Sequence, residues 1–338
     1  MDSFGSSNTP VGSAPRILLT GATGLLGNHV LRTLNAQGHV PRILLRPAAS
    51  RRPLEGLACE VHSGDLLDPS SLTGACEDVS IVYHAAAEVR IGRTRPDLFR
   101  SINVEATCRL ADAAQAAGAR FVFISSADTL RGGTATAPAD ETAPFDSRHA
   151  SPYSESKHEA EQALIERTRQ GLDLVIIHPV FLLGPYDWKP SSGAMLLAVA
   201  RGLGRIAPRG EFSIADVRDV ARAIVAAGEE GKSGQRYLLA GPTFTYREAW
   251  NRFAALSGRR PPLVTLGPLA TVLAGFAGDA LARILANEPA FNSAALRTAR
   301  MPRHYTSAKA IAELDYHCRP FEETLADAWE WMRREWAL

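Results

Sequence analysis

The sequence has almost no charge excess of either sign, because its 338 residues carry 37 Lys and Arg against 36 Asp and Glu. A formal net charge of +1 gives no whole-surface electrostatic argument for nucleic acid or an anionic membrane, although a local basic patch remains possible. With 46 % hydrophobic and 22 % charged residues, the composition excludes a disordered or fibrous chain. We expect one large α/β domain or two interleaved ones.

Cysteine is scarce and scattered. The four cysteines, at positions 59, 76, 108 and 318, form no CxxC pair and have no histidine at metal-ligand spacing. This pattern is typical of reduced thiols and disfavours a disulfide scaffold or a zinc site. We therefore expect a cytoplasmic protein with no bound metal.

Long uninterrupted apolar segments are also lacking. Residues 1–15 are rich in Ser, Gly, Asn and Pro and have no signal-peptide pattern, so we interpret them as a flexible N-terminal extension. The most apolar stretch, residues 266–286, is interrupted by Pro268, Asp279 and Arg283. We predict a partly buried helical segment there and no membrane span.

Short apolar runs alternate with helical patterns in the first half of the chain. Strands are predicted at residues 16–20, 41–45, 59–62, 81–84, 120–125 and 174–178. Helices are predicted between them, including residues 96–117 and 152–170. The alternation indicates βαβ units, and therefore an α/β fold with a Rossmann-type doubly wound parallel sheet.

Three glycines separate the first predicted strand from its helix. Gly21 permits a tight turn, Gly24 lets backbone amides approach a pyrophosphate, and Gly27 lets the helix lie close to the sheet. The helix N-terminus adds partial positive charge. The context predicts a dinucleotide site, with a simple tight turn as the alternative. The loop residues expected at the cofactor are Gly21, Thr23, Gly24, Leu25, Leu26 and Gly27.

The second predicted strand ends at Arg46, where a NAD-selective site would carry an acidic residue. No carboxylate follows until Glu55, so the sequence favours NADP(H), with NAD(H) possible and a solvated surface arginine as the alternative. Asp65, after the third strand, is a candidate for the adenine edge, or else a turn cap.

Tyr153 and Lys157 lie at i and i+4 near the start of a predicted helix and therefore share a face. A phenol has a pKa of about 10, but a nearby ammonium and a positive nicotinamide stabilise its phenolate. Tyr153 could then exchange a proton with a carbonyl or alcohol oxygen. Ser125 and Ser126 end the fifth strand at its carboxyl edge, where a hydroxyl could hydrogen-bond the same oxygen, and either serine could instead be a turn residue. A lone Asn103 is more often a local hydrogen-bonding residue.

Together these motifs resemble the extended short-chain dehydrogenase/reductase family, of the NAD-dependent epimerase/dehydratase type. The resemblance runs from residue 16 to near the C-terminus, and the glycine loop and Tyr153 with Lys157 are its strongest supports. Segments 139–142 and 184–190 are similar to those of the dihydroflavonol-reductase-like branch, especially bacterial hopanoid-associated sugar epimerases.

The resemblance implies a role for each matching residue. Ser126 would polarise the substrate, Tyr153 would be the acid/base, and Lys157 would hold the nicotinamide ribose and lower the tyrosine pKa. Asn103 would steady Lys157 through water. Further cofactor contacts would come from Asp65, Leu66, Ala85, Ala86, Ala87, Ser125, Pro179, Val180 and Phe181. The substrate candidates are Glu88, Asp128 and Trp188.

This family pattern also implies a domain organisation. After the extension 1–15, residues 16–178 and 216–240 would form the dinucleotide-binding domain. Residues 179–215 and 241–338 would form a smaller, mostly helical substrate-binding region that ends in an amphipathic helix from Phe321 to Trp336.

Family members that dehydrate sugar nucleotides carry Thr-Asp-Glu where this chain has Ser126, Ala127 and Asp128, which disfavours dehydration. Sugar-nucleotide epimerases present an arginine to the diphosphate near residues 211–214, where only Arg201, Arg209 or Arg218 could substitute. We expect NADP(H)-dependent reduction of a carbonyl to a secondary alcohol on a partly apolar small molecule. The alternatives are a sugar or sugar-nucleotide epimerase and a non-catalytic NADP-binding regulator. We expect no nucleic-acid partner, and a homodimer is possible.

Overall fold

The structure is a computed structural model that describes residues 16–89, 96–285 and 302–336, together with residues 293, 296 and 299. The predicted flexible extension, residues 1–15, lies outside the described residues.

Seven parallel strands form the central sheet. They are β1 (Ile17–Thr20), β2 (Arg42–Leu45), β3 (Glu60–Ser63), β4 (Ile81–His84), β5 (Arg120–Ile124), β6 (Leu174–Pro179) and β10 (Arg236–Leu239). Their order across the sheet is β3-β2-β1-β4-β5-β6-β10, and every neighbouring pair is parallel. The order reverses between β1 and β4, which opens a crevice at their carboxyl ends. The predicted doubly wound fold is confirmed.

Both faces of the sheet are covered by helices. On one face pack α1 (Leu25–Ala36) and α7 (Val217–Glu229). On the other pack α2 (Pro69–Ala75), α4 (Thr107–Ala116) and α5 (Pro152–Thr168). Strands buried on both sides need nearly continuous apolar sequence, and all four residues of β1 and of β4 are buried. Each buried aliphatic side chain contributes roughly 1.5–3 kcal/mol through its removal from water.

The helix predicted over residues 96–117 is not uniform. It begins as α3 (Pro96–Phe99), widens into a π-helical segment at Arg100–Ala106, and continues as α4. The widened segment carries the buried Asn103, whose amide is bonded to residues outside the helix. Such π segments often occur at functional sites, and residue spacing alone does not predict them.

The remaining elements form a smaller region beside the sheet. Its strands are β7 (Phe181–Leu183), β8 (Ile206–Ala207), β9 (Glu211–Asp216), β11 (Thr243–Thr245) and β12 (Val264–Thr265). Its helices are α6 (Ala194–Ala200), α8 (Tyr246–Leu256), α9 (Pro268–Leu285), α10 (Ala308–Leu314) and α11 (Phe321–Glu335). Most share a separate core that includes Phe212, Trp250 and Met332, whereas Ala310 and Leu314 of α10 pack with the sheet. The predicted domain boundaries remain predictions.

The apolar stretch predicted as helical, residues 266–286, forms α9 over most of its length. The residues that this helix buries, however, are small ones. Thr271, Gly275 and Gly278 of α9 are buried, whereas Leu273 is 60 % exposed and Phe276 64 %. None of the helices in the described ranges is both long enough and apolar enough to cross a bilayer.

Candidate active site

The glycine loop between β1 and α1 forms a close-packed turn. Gly21 has φ +78°, and a Cβ there would lie 2.7 Å from the backbone carbon of Ala85. A Cβ on Gly27 would lie 2.2 Å from the Gly21 carbonyl oxygen. Gly24 is exposed, and its nearest contact for an added Cβ is at 3.4 Å. Two of the three glycines are therefore required by the fold itself, and the third is not.

The loop has the shape that a dinucleotide pyrophosphate requires. Gly24 is the N-cap of α1, so the first amides of that helix have no intrahelical partner and point toward the turn. Opposite lies the backbone after β4, where the Ala86 amide donates to Thr20 Oγ1 at 3.2 Å. Thr20 Oγ1 also contacts His84 Nδ1 at 2.8 Å, and burial lowers the pKa of His84 to about 3, so this histidine is neutral. The residues present fit the pyrophosphate of a dinucleotide.

Arg46 follows β2 and is exposed. Its neighbour Arg52 is engaged elsewhere, in an ion pair of 2.8 Å with Glu335 of α11. Within the described part of the chain, Arg46 has no such ion pair. The Asp65 carboxylate accepts the Leu67 amide at 3.0 Å, so it caps a turn. The cofactor contacts of Arg46, Asp65 and the neighbouring Leu66 remain predictions.

Tyr153 and Lys157 are positioned by the start of α5. Ser151 is the N-cap, and its side chain and that of Ser154 each accept a bond from the other's amide. This cap places Tyr153 in the first turn and Lys157 one turn later. Lys157 is only 2 % exposed, and its Nζ lies 4.2 Å from the centroid of the Phe123 ring.

Burial shifts the pKa of both groups toward their neutral forms. It raises the pKa of the Tyr153 phenol, the Asp128 carboxylate adds to that rise, and a hydrogen bond with Ser126 opposes it. Burial lowers the pKa of Lys157 to about 7, against the attraction of Glu161. Tyr153 is therefore protonated at neutral pH, and the charge of Lys157 changes in that same range.

Ser125 and Ser126 point in different directions after β5, as successive residues of an extended segment do. The Ser126 hydroxyl accepts the Asp128 amide at 3.1 Å, caps a short 3-10 turn and is partly exposed. The buried Ser125 hydroxyl donates to the Glu161 carboxylate. Ser126 thus shares its environment with Tyr153, whereas Ser125 faces α5.

Glu161 is a buried charged residue that the sequence reasoning missed. It is on α5, and its Oε1 lies 3.6 Å from Nδ1 of the buried His178. Burial lowers the pKa of His178, so this contact is one between a carboxylate and a neutral imidazole. Because position 161 is four residues after Lys157 and eight after Tyr153, helical spacing alone could have placed it on the same face.

Asn103 joins the loop after β4 to α5. Its side-chain oxygen accepts the Glu88 amide at 2.8 Å, and its side-chain nitrogen donates to the Glu88 carbonyl at 2.9 Å. The same nitrogen donates to Ser156 Oγ at 2.9 Å. Asn103 therefore fixes the loop that contains Ala85, Ala86, Ala87 and Glu88 next to the helix of Tyr153. Its predicted link to Lys157 through water stays a prediction.

Asp128 forms an ion pair with Arg303, which the sequence reasoning also missed because 175 residues separate them. Tyr305 and Tyr246 lie in the same cluster, where burial raises both pKa values and Arg303 opposes the rise. A partly buried carboxylate, a guanidinium and two phenols thus lie beside Ser126.

The three arginines that could contact a substrate diphosphate lie in different environments. Arg218 is held by Asp216 at 2.7 Å and by Asp327 at 2.6 Å. Arg209 lines an open pocket of about 460 Å³ together with Glu211 and His304. Arg201 lines a different pocket, beside α8 and α11.

The residues after β6 are held by local packing. The amide of the buried Val180, which follows Pro179, donates to the Leu239 carbonyl at 3.2 Å. Phe181 packs edge-on against Phe212, with ring centroids 5.2 Å apart. Trp188 packs against Trp331 at 5.2 Å. The cofactor contacts expected of Pro179, Val180 and Phe181 remain predictions, and so does the substrate contact expected of Trp188.

The chain is similar to a known protein family and to several known proteins. Residues 17–240 match the model of the "NAD dependent epimerase/dehydratase family". The "Sterol demethylase protein B" of Methylococcus capsulatus is 31 % identical over 323 residues, which cover 94 % of this chain and 98 % of that protein. The "Putative dihydroflavonol 4-reductase" of Synechocystis sp. is 27 % identical, over 96 % of each chain. The crystal structure of gox2253 superimposes with a TM-score of 0.83 at 33 % identity, over 95 % of this chain and 98 % of that one.

Proposed function

This chain belongs to the NAD dependent epimerase/dehydratase family, and from that membership we propose that it is an NADP(H)-dependent reductase. It reduces a carbonyl group to a secondary alcohol on a partly apolar small molecule. The observation that carries the proposal is the placement of Tyr153 and the buried Lys157 one helical turn apart on α5, with Ser126 beside the phenol and burial that keeps the phenol protonated.

In the proposed reaction Tyr153 is the general acid. A reduced nicotinamide, when bound, supplies the hydride that the carbonyl carbon accepts. The phenol donates its proton to the carbonyl oxygen, so the substrate gains one hydride and one proton, and Tyr153 becomes a phenolate. Ser126 donates a second hydrogen bond to the same oxygen and stabilises the negative charge that develops there.

Lys157 stabilises the phenolate that this step leaves. An ammonium one helical turn away favours the charged form of the tyrosine, provided that Lys157 is itself protonated. Glu161 attracts that ammonium and raises the pKa of Lys157 against the effect of burial. Tyr153 is therefore set up to donate a proton near neutral pH, and proton donation is the step that carbonyl reduction requires.

An uncharged substrate is favoured over a sugar nucleotide because two of the arginines that could meet a diphosphate are already engaged by carboxylates. Arg303 is neutralised by Asp128, and Arg218 by two carboxylates. The surrounding Tyr246 and Tyr305 offer partly apolar contact. Two relatives are named for sterol and dihydroflavonol chemistry, in which the compounds are ring systems without a diphosphate.

The preference for NADP(H) rests on Arg46. Its exposed guanidinium follows β2, where the fold family places the group that recognises the adenine ribose. A guanidinium pairs well with a 2'-phosphate through paired hydrogen bonds and charge. No carboxylate stands at this position to accept from a 2'-hydroxyl.

An epimerase is the second candidate, because the matched family model includes that activity and Arg209 lines the pocket with Glu211 and His304. The two functions differ in net consumption of cofactor. We propose a screen of NADPH oxidation over aldehydes and ketones, sterol ketones and dihydroflavonols among them, with sugar nucleotides tested in parallel for epimers. Steady NADPH oxidation supports the reductase, whereas epimer formation without net oxidation rejects it.

A further inference from the structure

The amphipathic pattern of α9 is reversed relative to an ordinary surface helix. Its packed face consists of small residues, Thr271, Gly275 and Gly278. Its outer face carries large apolar side chains at i, i+3, i+4 and i+7: Leu269, Val272, Leu273 and Phe276, of which Leu269 is 73 % exposed. Water therefore contacts the side of the helix that is most costly to hydrate.

Further exposed apolar side chains lie in the chain segments that lead into α9. The strands β8 and β12 pair in parallel, with Ile206 opposite Val264, and both side chains are exposed. Leu203 and Leu263, next to these strands, are exposed as well. We call the exposed apolar side chains of Leu203, Ile206, Leu263 and Val264, together with the outer side of α9, the apolar platform. Large exposed apolar patches mark interaction sites.

Arginines lie at the edge of the apolar platform. Arg205 donates to the Pro261 carbonyl at 2.8 Å, and Arg259 donates to the Ala200 carbonyl at 2.7 Å, so the two loops that carry the basic residues are joined. Residues 200–210 contain no carboxylate, and residues 257–285 contain only Asp279, which accepts the Ser293 amide at 2.9 Å. The nearly neutral chain therefore has a locally positive surface here.

One pocket gathers two arginines of these segments and a third from α11. It has a volume of about 610 Å³ and is lined by Arg201, Arg259 and Arg333, together with Trp329. Among the residues that the structure describes, no carboxylate forms an ion pair with any of the three arginines. Three guanidinium groups around one open space repel each other, so an anion in that space relieves the repulsion.

We propose that the apolar platform and its arginine pocket dock the protein on the surface of an anionic lipid bilayer, without crossing it. The apolar side chains of α9 would enter the boundary between headgroups and acyl chains, and the arginines would contact the lipid phosphates. The assignment rests on the apolar platform and the arginine pocket together. A bilayer interface offers acyl chains to the first and phosphate groups to the second.

A second copy of the chain fits this surface less well. A twofold interface is built from the same surface on both subunits, so it would bring in the arginines of both copies, and segments 200–210 and 257–285 offer only Asp279 as a carboxylate to pair with them. A soluble anion would explain the arginine pocket but leaves the exposed Leu273 and Phe276 without a partner. The bilayer is therefore the occupant that the apolar and the charged residues favour together.

The test measures co-sedimentation of the full chain with vesicles. One set contains phosphatidylcholine alone, and the other adds about 30 % phosphatidylglycerol. We expect binding to the anionic vesicles, with a loss at about 0.5 M NaCl. The double variant Leu273→Ser/Phe276→Ser and the variant Arg259→Glu should each reduce the bound fraction at least about fivefold. Both change exposed side chains, and circular dichroism checks that each variant is folded.

Matched controls are Val40→Ser, which removes an exposed apolar side chain elsewhere, and Lys232→Glu, which reverses an exposed charge elsewhere. Both should bind vesicles like the wild type. The proposal is overturned if the wild type binds neither vesicle, or if the platform variants bind as well as their controls. It is also overturned if light scattering shows a dimer that the Leu273→Ser/Phe276→Ser variant dissociates, because a second copy then covers the platform. These measurements need no substrate, so they stand apart from the proposed reduction.

Discussion

Glu161 accepts a hydrogen bond from Ser125 and lies buried one helical turn beyond Lys157, on the same helix. The Glu161 carboxylate therefore lies on the side of Lys157 away from Tyr153 along the helix. The next serine along the chain, Ser126, lies beside Tyr153. This relationship makes the charge of Lys157 depend on a buried carboxylate that Ser125 holds in place. Glu161 is a positioning residue in the proposed reaction.

We predict that Glu161→Gln moves the pH dependence of carbonyl reduction. Lys157, with a pKa of about 7, is charged below that pH and loses its charge as the pH rises through it. The reduction rate should decline over the same range. Removing the negative charge of Glu161 lowers the pKa of Lys157, so the decline should move to lower pH, by about one pH unit.

The control for this prediction is Glu155→Gln, which removes an exposed carboxylate from the same helix. Its pH profile should match the wild type. If Glu161→Gln reduces the rate equally at every pH, Glu161 has only a structural role.

The three loop glycines should separate into two classes. Gly27→Ala places a Cβ 2.2 Å from the Gly21 carbonyl oxygen, so it should lower the melting temperature by several degrees even without cofactor. Gly24→Ala meets nothing closer than 3.4 Å and should leave that temperature nearly unchanged. It should still weaken NADPH binding at least about tenfold, because the methyl group occupies the place of the pyrophosphate.

Thermal unfolding and a cofactor titration measure the two effects. Equal losses of stability in both variants would show that Gly24, like Gly27, is needed only for the turn.

Arg46→Ala should weaken the binding of NADPH far more than that of NADH. A hydrogen bond to a charged group contributes about 1.5–3 kcal/mol, which corresponds to roughly a 10- to 150-fold increase in Kd for NADPH. Arg52→Ala is the matched control, because Arg52 is paired with Glu335 and should leave the preference unaltered. Fluorescence titration with each nucleotide gives both constants, and an equal change for the two nucleotides in Arg46→Ala would remove the 2'-phosphate assignment.

Tyr153→Phe should reduce turnover by about 10²- to 10⁴-fold, the contribution typical of a positioned general acid. The affinity for NADPH should change little, because the ring remains and only the hydroxyl is lost. Stopped-flow measurement of NADPH oxidation gives the rate. Turnover close to that of the wild type would show that another group donates the proton.

The sequence predicts the sheet well because its signals are local. The strands β1 and β4 are short apolar runs, and the turn after β1 requires Gly21 at positive φ, so pattern and structure agree. The ion pair of Asp128 and Arg303 has no local signal, since it depends on the tertiary fold. The exposed apolar face of α9 also has no local signal. The sequence shows that the helix is apolar, but it does not show which of its faces packs against the protein.

Reduction of a carbonyl by hydride transfer can be followed with NADPH deuterated at the transferable position of the nicotinamide. We expect the wild-type protein to form a secondary alcohol with deuterium on its carbinol carbon, in an amount equal to the NADPH oxidised. Mass spectrometry of the product measures both. Product without deuterium, or epimerised substrate with the NADPH still reduced, would contradict the proposed reduction.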